Sequence, residues 1–325
     1  MIKKYNWAIL GLGKIANKFA QDLLLTEQGN LYAVASRSQE KADAFAKEYK
    51  ADKAFGSYEA MMADKNIDVV YIATPHVFHC EKTLMCLDAG FHVLCEKAFG
   101  MNEQEVQSMV DKAKEKNLFL MEALWTRFIP STEKVLQMIA DDVIGDVRLV
   151  KADFGFIAKF DANGRLFNRK LGGGSLLDIG IYPVFLSLLT LGKPKTIQAF
   201  AQMTSTDVDL NCAMFFEYEN GQRAILDSTL DAATSIEGWI HGTKSMIKMN
   251  NRFHHSERLE VMDSKLNIIE TIDLPFVGNG YYHEALEVME CLDNGQTESK
   301  KMPLSFSLDL IQTLDKIRAI IGLEY

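Results

Sequence analysis

The segment WAILGLGKIA, residues 7–16, limits what this chain can fold into more than any other. An apolar run at 7–10 leads into Gly11-Leu12-Gly13 and then into residues spaced for a helix. Ala16, Phe19, Ala20, Leu23 and Leu24 recur at i, i+3, i+4, i+7 and i+8, one face of an α-helix. Strand, glycine turn and helix is the context in which G-x-G-x-x-G/A marks a dinucleotide site. Gly11 permits the tight turn, Gly13 lets backbone approach a pyrophosphate, and Ala16 keeps the helix close to the sheet. The first-turn N–H groups, at Lys14, Ile15 and Ala16, face the phosphates. The glycines alone would equally suit an ordinary strand-to-helix turn; their setting favours the dinucleotide.

The same alternation continues to residue 121. Apolar runs at 31–35, 68–73, 91–95 and 118–121 read as buried parallel strands, with helices at 39–49, up to 89, and after Asn102. Asn102 and Glu105 have the spacing of a capping box. A doubly wound parallel sheet binds ligands outside the carboxyl ends of its strands, where Arg37, Thr74, His76 and Lys97 fall. The end of the second strand, where an acid would bind the ribose 2′-OH of NAD, holds Ser36-Arg37, with Lys41 one turn on. A hydroxyl and two cations suit a 2′-phosphate, so the expected cofactor is NADP rather than NAD.

Residues 122–130 break the pattern and are expected to cross between domains, giving a Rossmann domain at 1–122 and a second domain at 123–325. Beyond them the sequence predicts a helix at 131–140, a strand at 146–157 and a helix at 175–191 behind Gly172-Gly173-Gly174. Strand-like runs follow at 211–218, 223–230, 236–241 and 245–249, then helices at 282–294 and 305–321. In 211–218, Cys212, Met214, Phe216 and Tyr218 share one side. Consecutive strands without helices predict a mainly antiparallel sheet, open on one face unless something covers it. Such a face predicts a homodimer, because monomers rarely leave a large apolar patch exposed.

With 325 residues the chain is long enough for two cores. Its net charge of -9, with scattered Lys and Arg, argues against nucleic acid as a partner. No apolar run is expected to reach the ~20 residues that span a bilayer, and the glycine turn interrupts any signal-peptide core. Five cysteines without a CxxC pair predict reduced thiols and a cytoplasmic protein.

Few residues are placed for chemistry. Lys97, just past a buried strand, suits either a site lysine that holds a substrate oxygen or lowers a neighbour's pKa, or a surface lysine paired with Glu96. Asp178 and Tyr182, four apart, share a face if the segment is helical. The triple glycine before them would let backbone pass close to a ligand or another chain. Asp178 equally fits a capping box with Ser175, and Tyr182 a core position; Pro183 predicts a kink. His76 and His79 lack a third ligand, so no metal site is expected. His254-His255 reads as a solvated loop pair. Trp125, Arg127 and Phe128 lie at the expected crossing and suit either a cleft or simple packing.

GLGKIA, ASR, ATPH-x2-H, CEKA, MEALWTRF and GGGSLLDIGIYP, in that order and across the whole chain, resemble the Gfo/Idh/MocA oxidoreductases. They are most similar to the branch of glucose–fructose oxidoreductase and dimeric dihydrodiol dehydrogenase. The resemblance implies a Rossmann domain, an α/β domain whose open sheet forms a dimer, and a sugar or polyol substrate. Lys97 resembles the family's active-site lysine, Tyr182 its tyrosine acid/base, and Asp178 the aspartate that contacts substrate. Trp125 and Phe154, with Arg127 nearby, fall where the substrate pocket is lined. Thr74, His76, His79 and Glu96 fall among the cofactor-side motifs. One departure stands out: the family's E-K-P is Glu96-Lys97-Ala98 here, which implies a small geometric freedom after Lys97. The resemblance also admits a dinucleotide-binding sensor without turnover, or an enzyme that shuttles hydride between two sugars on a tightly held cofactor.

Overall fold

The structure, a computed structural model, describes residues 3–325; residues 1 and 2, the start of the expected first domain, lie outside the described residues. The chain forms two compact units. One runs through Phe128 and takes back Phe276–Leu308; the other comprises Ile129–Pro275 and Asp309–Tyr325. The expected division is at 122/123; these units divide at 128/129, and residues 276–308 return to the first. Much of the reason is Asp22, on helix α1 (Lys14–Leu23), which is fully buried. Its carboxylate accepts the N–H groups of Asn279, Tyr281 and Tyr282 at 2.8–3.1 Å and so caps helix α8 (Tyr282–Asp293). Tyr5 Oη to Asp293 at 2.7 Å and Leu120 N–H to the Thr297 carbonyl at 3.1 Å secure the rest.

Six parallel strands build the first unit: β1 (Tyr5–Leu10), β2 (Gly29–Ala35), β3 (Lys53–Phe55), β4 (Val69–Ile72), β5 (His92–Glu96) and β6 (Leu120–Ala123). Their order is β3-β2-β1-β4-β5-β6, the doubly wound arrangement the alternation predicts. Helices α2 (Gln39–Tyr49), α3 (Tyr58–Met62), α4 (His79–Ala89) and α5 (Glu103–Lys116) connect them. On α1, Ala16, Phe19, Ala20 and Leu23 are buried, but Leu24 is half-exposed because the helix ends at Leu23. Phe19 stacks on Tyr71 of β4 with ring centroids 3.7 Å apart. Asn102 caps α5 as expected, while Glu105 reaches back to the N–H of Met101.

In the second unit, α6 (Pro130–Ala140) and α7 (Ile181–Leu191) accompany an eight-stranded sheet. It comprises β7 (Val147–Gly155), β8 (Thr196–Met203), β9 (Asp209–Glu217), β10 (Arg223–Thr229), β11 (Gly238–Gly242), β12 (Met246–Met249), β13 (Arg258–Met262) and β14 (Ile268–Asp273). The order is β14-β13-β12-β11-β7-β10-β9-β8, antiparallel except for β7 against β10. Cys212, Met214, Phe216 and Tyr218 are all buried, as their alternation requires. Helix α9 (Leu304–Ile321) closes the chain.

The expected helix at 175–191 starts in a different winding. Leu176–Gly180 forms a π-helix, and α7 follows with Pro183 as its third residue. Pro183 has no N–H to return to the preceding winding, and the chain changes helix type just before it. The stretch Arg169–Leu191 also corrects the expectation about apolar length. It is long and apolar enough to cross a membrane, yet most of it is buried inside the unit as a core helix. All five cysteines are free thiols, four of them buried.

Candidate active site

The first unit presents its candidate residues where the parallel strands end. Gly11 has φ +92°, and a Cβ there would meet the Ala73 carbonyl at 2.9 Å, so glycine is required between β1 and α1. A Cβ on Gly13 would meet nothing within 4 Å; the space before α1 is open. Lys14 and Ile15 are exposed and Ala16 is buried, as a phosphate-facing first turn packed on a sheet requires. The Thr74 hydroxyl is buried without a protein partner. Open space at a glycine and helix N-terminus beside an unsatisfied hydroxyl fits a dinucleotide pyrophosphate.

Arg37 is exposed just past β2 and lines a cavity of about 400 Å³ with Ser57, Tyr58, Thr74, Phe78 and Lys82. Burial raises the Tyr58 phenol, against the pull of the Arg37 and Lys82 charges. Lys82, on α4, supplies a cation to this cavity that the sequence reading missed. Lys41 is exposed on α2 and does not line the cavity; its backbone N–H is spent on the Ser38 cap. Ser36 is buried, and its hydroxyl accepts the N–H of Ser38.

Lys97 is half-buried at the end of β5. Before it, Glu96 accepts the Tyr71 hydroxyl in the core. Nearby on β6, Glu122 accepts the Phe99 N–H, and burial pushes its carboxyl up to about 7. The Lys97–Ala98 peptide is cis, and Ala98 is bonded to two imidazoles: its N–H donates to His76 Nδ1 at 3.2 Å and its carbonyl lies 2.7 Å from His79 Nδ1. His79 Nε2 lies 2.8 Å from the Thr74 carbonyl, and the ring is fully buried. Both ring nitrogens of His79 thus face backbone carbonyls, which ties the Thr74 and Ala98 segments together. Desolvation holds its pKa below the ordinary value, opposed by the two carbonyls.

Trp125 stacks face to face on Tyr281, 4.8 Å between centroids and 4° from parallel, and Gly280 leaves room for the indole. Arg127 is buried and donates from Nε to the Lys301 carbonyl at 2.8 Å. Both side chains have packing partners inside the first unit, the plainer of the two expected readings.

In the second unit the polar centre is Asp178, in the π-helical turn. It is 8% exposed and bound by both terminal nitrogens of Arg165, at 2.6 and 3.2 Å. Ser175 does not form the capping box with Asp178. Its hydroxyl instead donates to Asp209 at 2.7 Å, and Asp209 also accepts the Leu176 N–H at 2.7 Å. Asp209 is fully buried, and desolvation pushes its carboxyl up to about 6. The close approach allowed by the glycines is internal. Gly174, at φ +118°, passes the Asp209 carboxylate, and Gly173 passes the carbonyls of Arg165 and Leu166. The loop that presents Arg165 is thereby seated beside the helix that carries Asp178.

Tyr182, one turn on, is buried beside two rings. Phe154 of β7 has its centroid 5.7 Å away and His254 5.0 Å away, and Phe154 and His254 stack at 4.4 Å. The reading of His254-His255 as a solvated pair is corrected here, since His254 is 7% exposed. Phe253, wholly buried against Gly238, draws this short turn into the fold. In this unit, Arg165 and His254 are the two candidate site residues that sequence reasoning missed. Neither lies in a periodic segment or motif, and only the fold brings them to Asp178 and Tyr182.

Residues 5–124 match the GFO/IDH/MocA oxidoreductase family with its NAD-binding Rossmann fold, and residues 132–248 match that family's C-terminal domain. The chain is 36% identical to trans-1,2-dihydrobenzene-1,2-diol dehydrogenase of Mus musculus, covering 98% of this chain and 97% of that protein. It is 34% identical to the Homo sapiens enzyme of the same name, over 98% and 97%. Among solved structures, aldose–aldose oxidoreductase from Caulobacter crescentus, complexed with glycerol, superposes with a TM-score of 0.88 at 24% identity, over 98% of each chain. A 3-ketoreductase from Actinomadura kijaniata, in complex with NADP and TDP-benzene, gives 0.87 at 23% identity, over 98% of each. These two likenesses concern the fold.

Proposed function

Since the chain belongs to the GFO/IDH/MocA family of oxidoreductases, we propose that it is an NADP-dependent enzyme oxidising a cyclic diol or sugar hydroxyl, or reducing the matching carbonyl. The observation that carries this reading is 34–36% identity over nearly the full length to diol dehydrogenases, together with the presence of Lys97, Asp178 and Tyr182 in motifs that resemble the family's. When bound, the nicotinamide supplies or takes up the hydride. The chain's own residues handle the accompanying proton. Tyr182 exchanges it with the substrate oxygen, and Lys97 lowers the phenol from its reference pKa of ~10 toward neutrality. Asp178, oriented by Arg165, holds a substrate hydroxyl. Phe154 and His254 line the substrate side of Tyr182.

Gly11, Gly13 and the first turn of α1 would hold the pyrophosphate, with the Thr74 hydroxyl beside it, and Arg37 would bind the 2′-phosphate. The protein works as a cytoplasmic homodimer joined through the outer face of the second sheet. Following NADPH absorbance with a panel of cyclic diols and sugars tests the reading. Turnover with at least one of them is expected. Tight NADPH binding with no turnover across the panel would point to a sensor, and cofactor surviving dialysis to hydride exchange between two sugars.

A further inference from the structure

The residue after Lys97 is restrained through its backbone. Ala98 is fully buried, so its N–H cannot turn to water. That N–H exists only because residue 98 is not proline. Its acceptor is His76 Nδ1 at 3.2 Å, on a ring that is itself buried. An imidazole nitrogen accepts only through its lone pair, which puts the proton of neutral His76 on Nε2. A peptide group is a rigid plane, so holding the N–H of residue 98 also fixes the carbonyl of residue 97, and with it ψ of Lys97. The Ala98 carbonyl, 2.7 Å from His79 Nδ1, fixes the next plane.

We propose that His76 is a positioning residue for Lys97: its Nδ1 lone pair anchors the Ala98 N–H and sets the backbone from which the lysine side chain departs. The inference rests on Lys97 being the site lysine of the proposed function. It makes His76 and Ala98 a matched pair, because the restraint that proline builds into its ring is supplied here by a neighbouring imidazole.

The test is a cycle of His76→Phe, which keeps a ring without an acceptor, His76→Asn, which keeps an acceptor, and Ala98→Pro, which deletes the donor. His76→Phe is expected to lower kcat about 10- to 100-fold with the dissociation constant of NADPH little changed. His76→Asn recovers most of that loss, and in the Ala98→Pro background His76→Phe costs far less. Equal losses in both backgrounds, or a rise in the NADPH dissociation constant with kcat intact, would overturn the proposal. Two measurements do not depend on turnover. Nitrogen NMR of histidine-labelled protein at neutral pH should show Nδ1 of His76 unprotonated and Nε2 protonated. Hydrogen exchange at the Ala98 amide should accelerate in folded His76→Phe. A protonated Nδ1, or unchanged exchange, refutes the anchor even in a protein for which no substrate is found.

Discussion

Arg165 grips Asp178 through two parallel hydrogen bonds, although the arginine is half-exposed and the aspartate almost wholly enclosed. The fork matches the carboxylate in a way an ammonium cannot. Arg165→Ala strands a buried charge, and a loss of about 1.5–3 kcal/mol is expected in urea unfolding. Arg165→Lys should recover only part of it. An unchanged urea midpoint for Arg165→Ala would mean that solvent, not Arg165, satisfies Asp178.

Tyr182 and Lys97 are expected to behave as one catalytic group. Tyr182→Phe should cut kcat by roughly 10²–10⁴ while leaving NADPH affinity nearly intact. Lys97→Met should cost a comparable factor, and the double variant little more, since groups acting together are not additive. In the oxidation direction the residual activity of Lys97→Met should climb with pH as the unassisted phenol ionises. Additive losses with a flat pH profile would separate the two residues.

For the cofactor, Arg37→Ala should weaken NADP(H) by about 1.5–3 kcal/mol, the scale of a charged hydrogen bond, and leave NAD(H) almost unaffected. Fluorescence titration with both dinucleotides reads the difference directly. Equal weakening would show that Arg37 does not meet the 2′-phosphate.

On the outer face of the second sheet, Phe215, Ile225, Lys151 and Trp239 are successive cross-strand neighbours of β9, β10, β7 and β11. Ile225 is 46% exposed, and Phe200 on β8 is 77% exposed. A row carrying Phe215, Ile225 and Trp239 on one face, interrupted by the single charge of Lys151, suits a self-complementary interface. Ile225→Asp should convert a dimer to monomers in sedimentation at micromolar concentration. A wild-type protein that already sediments as a monomer rules the interface out.

Asp209 predicts a pH effect with a definite sign. Burial raises its folded pKa to about 6, above the ordinary value of 3.8, so folding favours the protonated acid. Its contribution is therefore greatest at acid pH and is lost as pH rises from about 4 to about 6. The size is about 3 kcal/mol for a shift of roughly two units. Asp209→Asn, which keeps an acceptor for the Leu176 N–H, should flatten that part of the stability profile. An unaltered slope would mean that Asp209 ionises freely in the folded protein.

What the sequence made legible follows physical lines. The first sheet was readable because a buried parallel strand must be apolar throughout, as at 68–73 and 91–95. Its edge strand β3, three residues long and partly exposed, has no such signature. Nor has β14, which is almost wholly exposed. Candidate site residues inside dense motifs, such as Gly11, Lys97 and Tyr182, can be named from the sequence. Arg165 and His254 lie in loops, where side-chain direction depends on what the loop packs against. Asp22 illustrates the converse, since an acid beside a helix's apolar stripe reads as solvent-facing until its three backbone donors are known.

The Asp22 cap also orders events during synthesis. The carboxylate emerges from the ribosome early, whereas the Asn279 amide it receives lies 257 residues downstream. Until Asn279, Tyr281 and Tyr282 have been translated, the nascent first unit carries an acid in what will be its interior, with none of its eventual donors yet made. The second unit's Ile129–Pro275 is complete by then. A fragment stopped at residue 122 would share this condition permanently, so the nucleotide-binding half of this chain is not a separable module at its own C-terminal strand.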